Sequence, residues 1–133
     1  MKFQELCKQL ETKIQNSYEN GVTLEEAEKL AGEFLKAQMT VSNELQTADL
    51  DSRMRKSGVK AVRAAVYMKA CAESDKKPTE NALENTMNTN ELVQTEQDAL
   101  DRAEVERDSL KRYYDIFREC HIYFRGIAKG NFN

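Results

Sequence analysis

Three observations predict an all-α fold for this chain. Pro occurs once and Gly five times in 133 residues, so the interruptions that end helices are scarce. Charged residues reach 32% and Trp is absent, a composition that suits long helices with much surface and a thin core. Apolar residues also return at steps of three and four along nearly the whole length. Together these predict a single elongated helical domain over residues 1–133, packed as coiled coils pack. It has two long helices, at about 24–71 and 91–129, a short N-terminal helix and a short linker helix.

The N-terminal helix is expected at about 2–18, where Phe3, Leu6, Leu10 and Ile14 make one apolar stripe. Asn20-Gly21 stops it, because both residues tolerate the left-handed conformation that ends helices. Thr23 and Glu26 then form the pattern of a capping box. From Leu24 the seam runs through Ala27, Ala31, Phe34, Val41, Leu45 and Ala48, with Gln38 as a polar exception. Beyond Ser57-Gly58 it continues as Val59, Val62 and Val66.

A helix of that length spans roughly 70 Å, whereas a compact domain of this size has a radius of gyration of about 14 Å. The helix therefore either breaks near 57–58 or projects and finds partners in an oligomer, and the second is the expectation. The stretch "ESDKKPTEN" at 73–81 is the linker and holds Pro78. Thr79 caps a short helix at roughly 80–87. The last helix has its seam at Leu92, Ala99, Ala103, Leu110, Tyr113, Phe117, Cys120, Phe124 and Ile127.

Cys7, Cys71 and Cys120 are an odd number without C-x-x-C spacing, each near the apolar positions of a helix. They read as free thiols in a reducing compartment. The N-terminal "MKFQELCKQL" lacks the apolar core of a signal peptide, and no apolar run approaches the ~20 residues of a membrane span. A soluble, cytoplasmic protein without a membrane partner is expected. No catalytic function is expected either. His121 is the single histidine, phosphate-loop, dinucleotide and zinc-protease motifs are missing, and nothing implies a cofactor, a metal or a small-molecule substrate.

Charge is segregated. Residues 1–52 carry 5 basic and 10 acidic groups, and residues 53–77 carry 8 and 2. Residues 78–108 carry 2 and 9, and residues 109–133 carry 5 and 2. The four blocks are thus −5, +6, −7 and +3, within a net charge of −3. In the stretch "RMRKSGVKAVRAAVY" at 53–67, Arg53, Lys56, Lys60, Arg63 and Tyr67 share one helix face, flanked by Arg55 and Lys69. Lys111, Tyr114, Arg118, His121, Arg125 and Lys129 step in the same way along the last helix. Cations interleaved with aromatic rings suit single-stranded nucleic acid, whose phosphates need charge and whose unstacked bases need flat surfaces. A competing reading sets the acidic residues Glu91, Glu96, Asp98, Asp101, Glu104, Glu106 and Asp108 antiparallel against block 53–77. Interhelical charge pairs would then fix the register, as flanking charges do in coiled coils.

The segment "VKAVRAAVYMKACAE", the charged linker, and a last helix ending "LKRYYDIFRECHIYFRGIAKG" follow one another over about 24–129. In this order and length the chain resembles the small bacteriophage recombination mediators of the UvsY type. The element carrying the resemblance is a Lys/Arg helix followed by an aromatic, here Lys60, Arg63 and Tyr67, although the family's cations are closer together. The resemblance implies a helical homo-oligomer in the bacterial host cytoplasm. It implies binding to single-stranded DNA and help in loading a recombinase onto DNA coated by single-strand-binding protein. The basic helix would face DNA, and Leu110, Tyr113, Phe117, Phe124 and Ile127 of the aromatic helix would mediate assembly. The alternative function is a helical protein–protein interaction module, such as a scaffold, an assembly chaperone or an inhibitor of a host protein.

Overall fold

The computed structural model describes residues 2–130, apart from the side chain of Lys2. Four helices and no strand are found among them: α1 (Lys2–Asn20), α2 (Leu24–Glu73), α3 (Glu80–Thr89) and α4 (Glu91–Ala128). The all-α expectation holds, with boundaries within two residues of those anticipated. None of these helices is long and apolar enough to cross a membrane.

Each helix end has a local cause. Gly21 takes φ +74° and donates its N–H to the Ser17 carbonyl at 2.9 Å, closing α1 in the left-handed conformation that glycine adopts without strain. The Thr23 hydroxyl accepts from the Glu26 N–H at 3.2 Å at the start of α2. Thr79 does the same for Ala82 at 3.2 Å, so α3 begins where the threonine predicts and runs two residues further. The start of α4 depends on Asn90, whose Oδ1 accepts from the N–H groups of both Leu92 and Val93.

The break considered near 57–58 does not occur, for α2 is helical from end to end. Gly58 instead permits a close approach: a Cβ placed on it would lie 3.4 Å from Glu96 Oε2 of α4.

The chain forms two compact units, residues 1–45 with 109–133 and residues 46–108. In the first, Phe34 of α2 meets Phe117 and Phe124 of α4 at ring-centroid distances of 5.8 and 5.6 Å, the second pair stacked. Tyr113 extends this cluster to Phe117 at 5.7 Å and, edge-on, to Phe3 of α1 at 6.5 Å. Cys7, Leu10, Ala27, Ala31, Ala37, Val41 and Leu110 complete the buried set. Burial first, and the nearby Glu11 carboxylate second, push both the Cys7 thiol and the Tyr113 hydroxyl above their ordinary pKa values. Burial, assisted by Glu119, does the same for Cys120.

The second unit has no aromatic core. Its buried residues are Ser52 and Val59 of α2, Leu83 of α3, and Val93, Leu100 and Ala103 of α4. Ser52 neighbours Arg107, and Gly58 neighbours Glu96, so α2 and α4 run antiparallel in this unit.

The expected seams need two corrections of phase. Leu24 and Leu92 are exposed, at 61% and 67%, because each lies in the first turn of its helix on the side away from the core. Val93 and Leu100 take the inward positions of α4 instead, and Ala37 is buried on α2.

Candidate nucleic-acid interface

The first basic stripe is carried by α2 within the second unit. Val59 and Ser52 turn toward the core, at 6% and 2% exposure, and so set the azimuth of everything around them. Arg53, Lys56, Lys60 and Tyr67 consequently point to solvent, while Arg63 is half-buried at the edge of the packed face.

Three cations of the block are engaged along their own helix. Arg53 lies 3.0 Å from the Asp49 carboxylate, and Arg55 Nε donates to Asp51 Oδ2 at 3.1 Å, each one turn earlier. Lys69 reaches Glu73 at 4.0 Å. Pairs as exposed as these contribute only about 0–1 kcal/mol and are readily exchanged.

The interhelical charge pairs of the competing reading, against residues 91–108, are not formed. Among the described residues no ion pair joins 53–77 to the seven acidic side chains of that segment, and Lys56, Lys60 and Arg63 have no carboxylate in ion-pair range. The reason is azimuthal. Val93, Leu100 and Ala103 face inward on α4, which leaves Asp98, Asp101 and Asp108 exposed on its outer side. The polar link that does cross is different in kind. Arg107 Nη1 donates to the Ser52 hydroxyl at 3.3 Å, the hydroxyl donates to the Asp49 carbonyl at 2.9 Å, and Glu104 and Asp108 hold the guanidinium from its own helix. Sequence reasoning passed over this contact, since neither residue belongs to a stripe.

The second stripe lies in the other unit and is less uniform. Lys111, Arg118, Arg125 and Lys129 are exposed, with Arg118 3.6 Å from Glu119. Tyr114 and His121 are half-buried. His121 Nδ1 lies 2.9 Å from the Ala31 carbonyl of α2, and because a carbonyl only accepts, Nδ1 carries the proton. His121 is thus tied to the seam rather than to the basic face.

Leu110, Phe117 and Phe124, expected to mediate assembly, are 6%, 0% and 2% exposed within one chain, and Tyr113 and Ile127 are half-buried. Their apolar surface is covered by α1 and α2 of the same molecule, so it is not available to a second subunit in this conformation. The exposed apolar side chains lie elsewhere and include Leu50, Met54 and Met68 on α2.

No family model, no curated protein and no solved structure matches this chain.

Proposed function

We propose that this protein binds single-stranded nucleic acid as a non-catalytic accessory factor of phage-type recombination or replication. The observation that carries the reading is the open state of Lys56, Lys60 and Arg63. The seven acidic residues of 91–108 lie in the same compact unit, yet none pairs with them. A basic face left unneutralised by so acidic a chain favours an external polyanion. Tyr67 continues the same face at 42% exposure, a ring on which a base can stack. Lys111, Arg118, Arg125 and Lys129 add a second set of exposed cations. The resemblance to UvsY-type mediators supports the same reading and extends it to a recombinase or a single-strand-binding protein as partner, in the cytoplasm of a bacterial host.

Titration of labelled single- and double-stranded oligonucleotides at several salt concentrations tests it. About six phosphate contacts on a single strand give a log–log salt slope near −4. Lys56→Ala with Lys60→Ala lowers the magnitude of that slope by about 0.7 per residue and leaves helicity unchanged. Binding that ignores both salt and these substitutions would rule the reading out.

The interaction-module reading draws on Leu50, Met54 and Met68, exposed at 60%, 65% and 70% along α2. A specific protein partner retained after nuclease treatment, with no oligonucleotide binding, would favour it.

A further inference from the structure

Two complementary faces of residues 46–108 are open at once. On α2 they are Arg53, Lys56, Lys60 and Tyr67, with Met54 beside them. On α4 they are Asp98, Asp101, Val105 and Asp108, which step by three, four and three along the outer side. Val105 is 68% exposed and Met54 is 65% exposed, so each charged stripe has an apolar side chain in or next to it. Among the described residues, Lys56 and Lys60 have no anionic partner and Asp98 has no cationic one.

The segments bearing these faces carry +6 (53–77) and −7 (78–108). They lie on antiparallel neighbours, but packing through Val59, Val93 and Leu100 turns both stripes outward. Rotation about a helix axis would have to break that core before the stripes could meet. Complementary charge that cannot close within one chain can close between two.

We infer that the acidic outer face of α4 in a second copy of this chain docks on the basic face of α2, through Asp98 and Asp101 against Lys56 and Lys60. The contact is between different patches, so each copy offers one free face of each sign and association can continue beyond two copies. The inference goes beyond the nucleic-acid reading and does not require it. Only one consequence rests on that reading: a polyanion and a second copy compete for the same lysines.

Sedimentation velocity of the full chain at low and high salt, without nucleic acid, is the primary test. The wild type associates at low salt and dissociates as the charges are screened, over a Debye length of about 10 Å at 0.1 M. Lys56→Glu with Lys60→Glu, and separately Asp98→Lys with Asp101→Lys, each weaken association by about tenfold or more. All four side chains are exposed, and unchanged far-ultraviolet dichroism confirms that the helices persist. Mixing the two variants restores association, because each then meets its opposite charge in trans. A wild type that stays monomeric at low salt overturns the inference, as does association that neither substitution weakens or a mixture that does not recover. Adding a single-stranded oligonucleotide to the wild type then reads the competition separately. If the oligonucleotide does not bind, the nucleic-acid reading fails while the charge-swap result stands.

Discussion

The two compact units solve the same problem with different materials. Residues 1–45 and 109–133 pack around Phe34, Phe117 and Phe124, with Tyr113 joined to them. Residues 46–108 have only aliphatic apolar side chains in their interior, together with one buried hydroxyl at Ser52. Burying a large apolar side chain contributes about 1.5–3 kcal/mol, and aromatic pairs add about 0.5–1.5 kcal/mol beyond that. The aromatic unit is therefore the firmer by packing, whereas the aliphatic one has the sharply segregated charge. The ring-packed interior and the +6 and −7 charge blocks thus fall largely in different parts of the chain, although Lys111, Arg118, Arg125 and Lys129 are exposed on the aromatic unit.

The comparison is broken most severely at the centre of the aromatic core. Phe34→Ala takes the ring from both Phe117 and Phe124 and costs about 3–5 kcal/mol, and Leu100→Ala in the other unit, within the range of about 2–5 kcal/mol for such a change, costs less. Urea denaturation followed by far-ultraviolet dichroism measures both. Equal losses would mean that the aromatic cluster adds nothing beyond its area.

Glycine gives a finer contrast. Gly32 and Gly58 are both inside α2, one in each unit, and alanine there removes backbone freedom from the unfolded chain. Gly32 has open space around it, so Gly32→Ala stabilises by about 0.5–1 kcal/mol. At Gly58 the new methyl group would sit 3.4 Å from the Glu96 carboxylate, and the gain is smaller by whatever the carboxylate loses on moving. A larger gain at 58 than at 32 contradicts the close approach.

Alkaline pH separates the units most gently. Cys7, Cys120 and Tyr113 all belong to the aromatic unit, and burial raises each. A folded-state value above the unfolded one means that the native state holds the proton longer. The stabilisation is complete below the ordinary thiol value of 9.0 and is lost as pH rises through the folded values. Tyr113→Phe should flatten the last part of that decline in the denaturation midpoint, and an unchanged profile would place the loss on the thiols.

Much of the fold could be read from the residues because its signals are local. Gly21, Thr23, Pro78 and Thr79 punctuate the chain by their own backbone chemistry, and steps of three and four reveal stripes. Periodicity gives a stripe but not the direction in which it points, which explains the phase error at Leu92 and Val93. The same gap hid the outcome at the candidate site. Charge blocks +6 and −7 invite pairing in any reading of composition, and only the inward turn of Val59 and Val93 shows that their outer stripes face away. The contact between Ser52 and Arg107 was illegible for a related reason, since it depends on the register between residues 55 positions apart.

The uneven distribution of rings gives each unit its own optical reporter. Between residues 46 and 108 the sole aromatic is Tyr67, exposed on the basic face, while Phe34, Phe117, Phe124 and Tyr113 lie locked in the other unit. Near-ultraviolet dichroism, which needs rings held in an asymmetric setting, therefore watches the aromatic unit almost exclusively. Far-ultraviolet dichroism sees the helices of both. A near-ultraviolet band that outlasts part of the helical signal on heating would identify residues 46–108 as the first to open, in the wild-type chain and without a label.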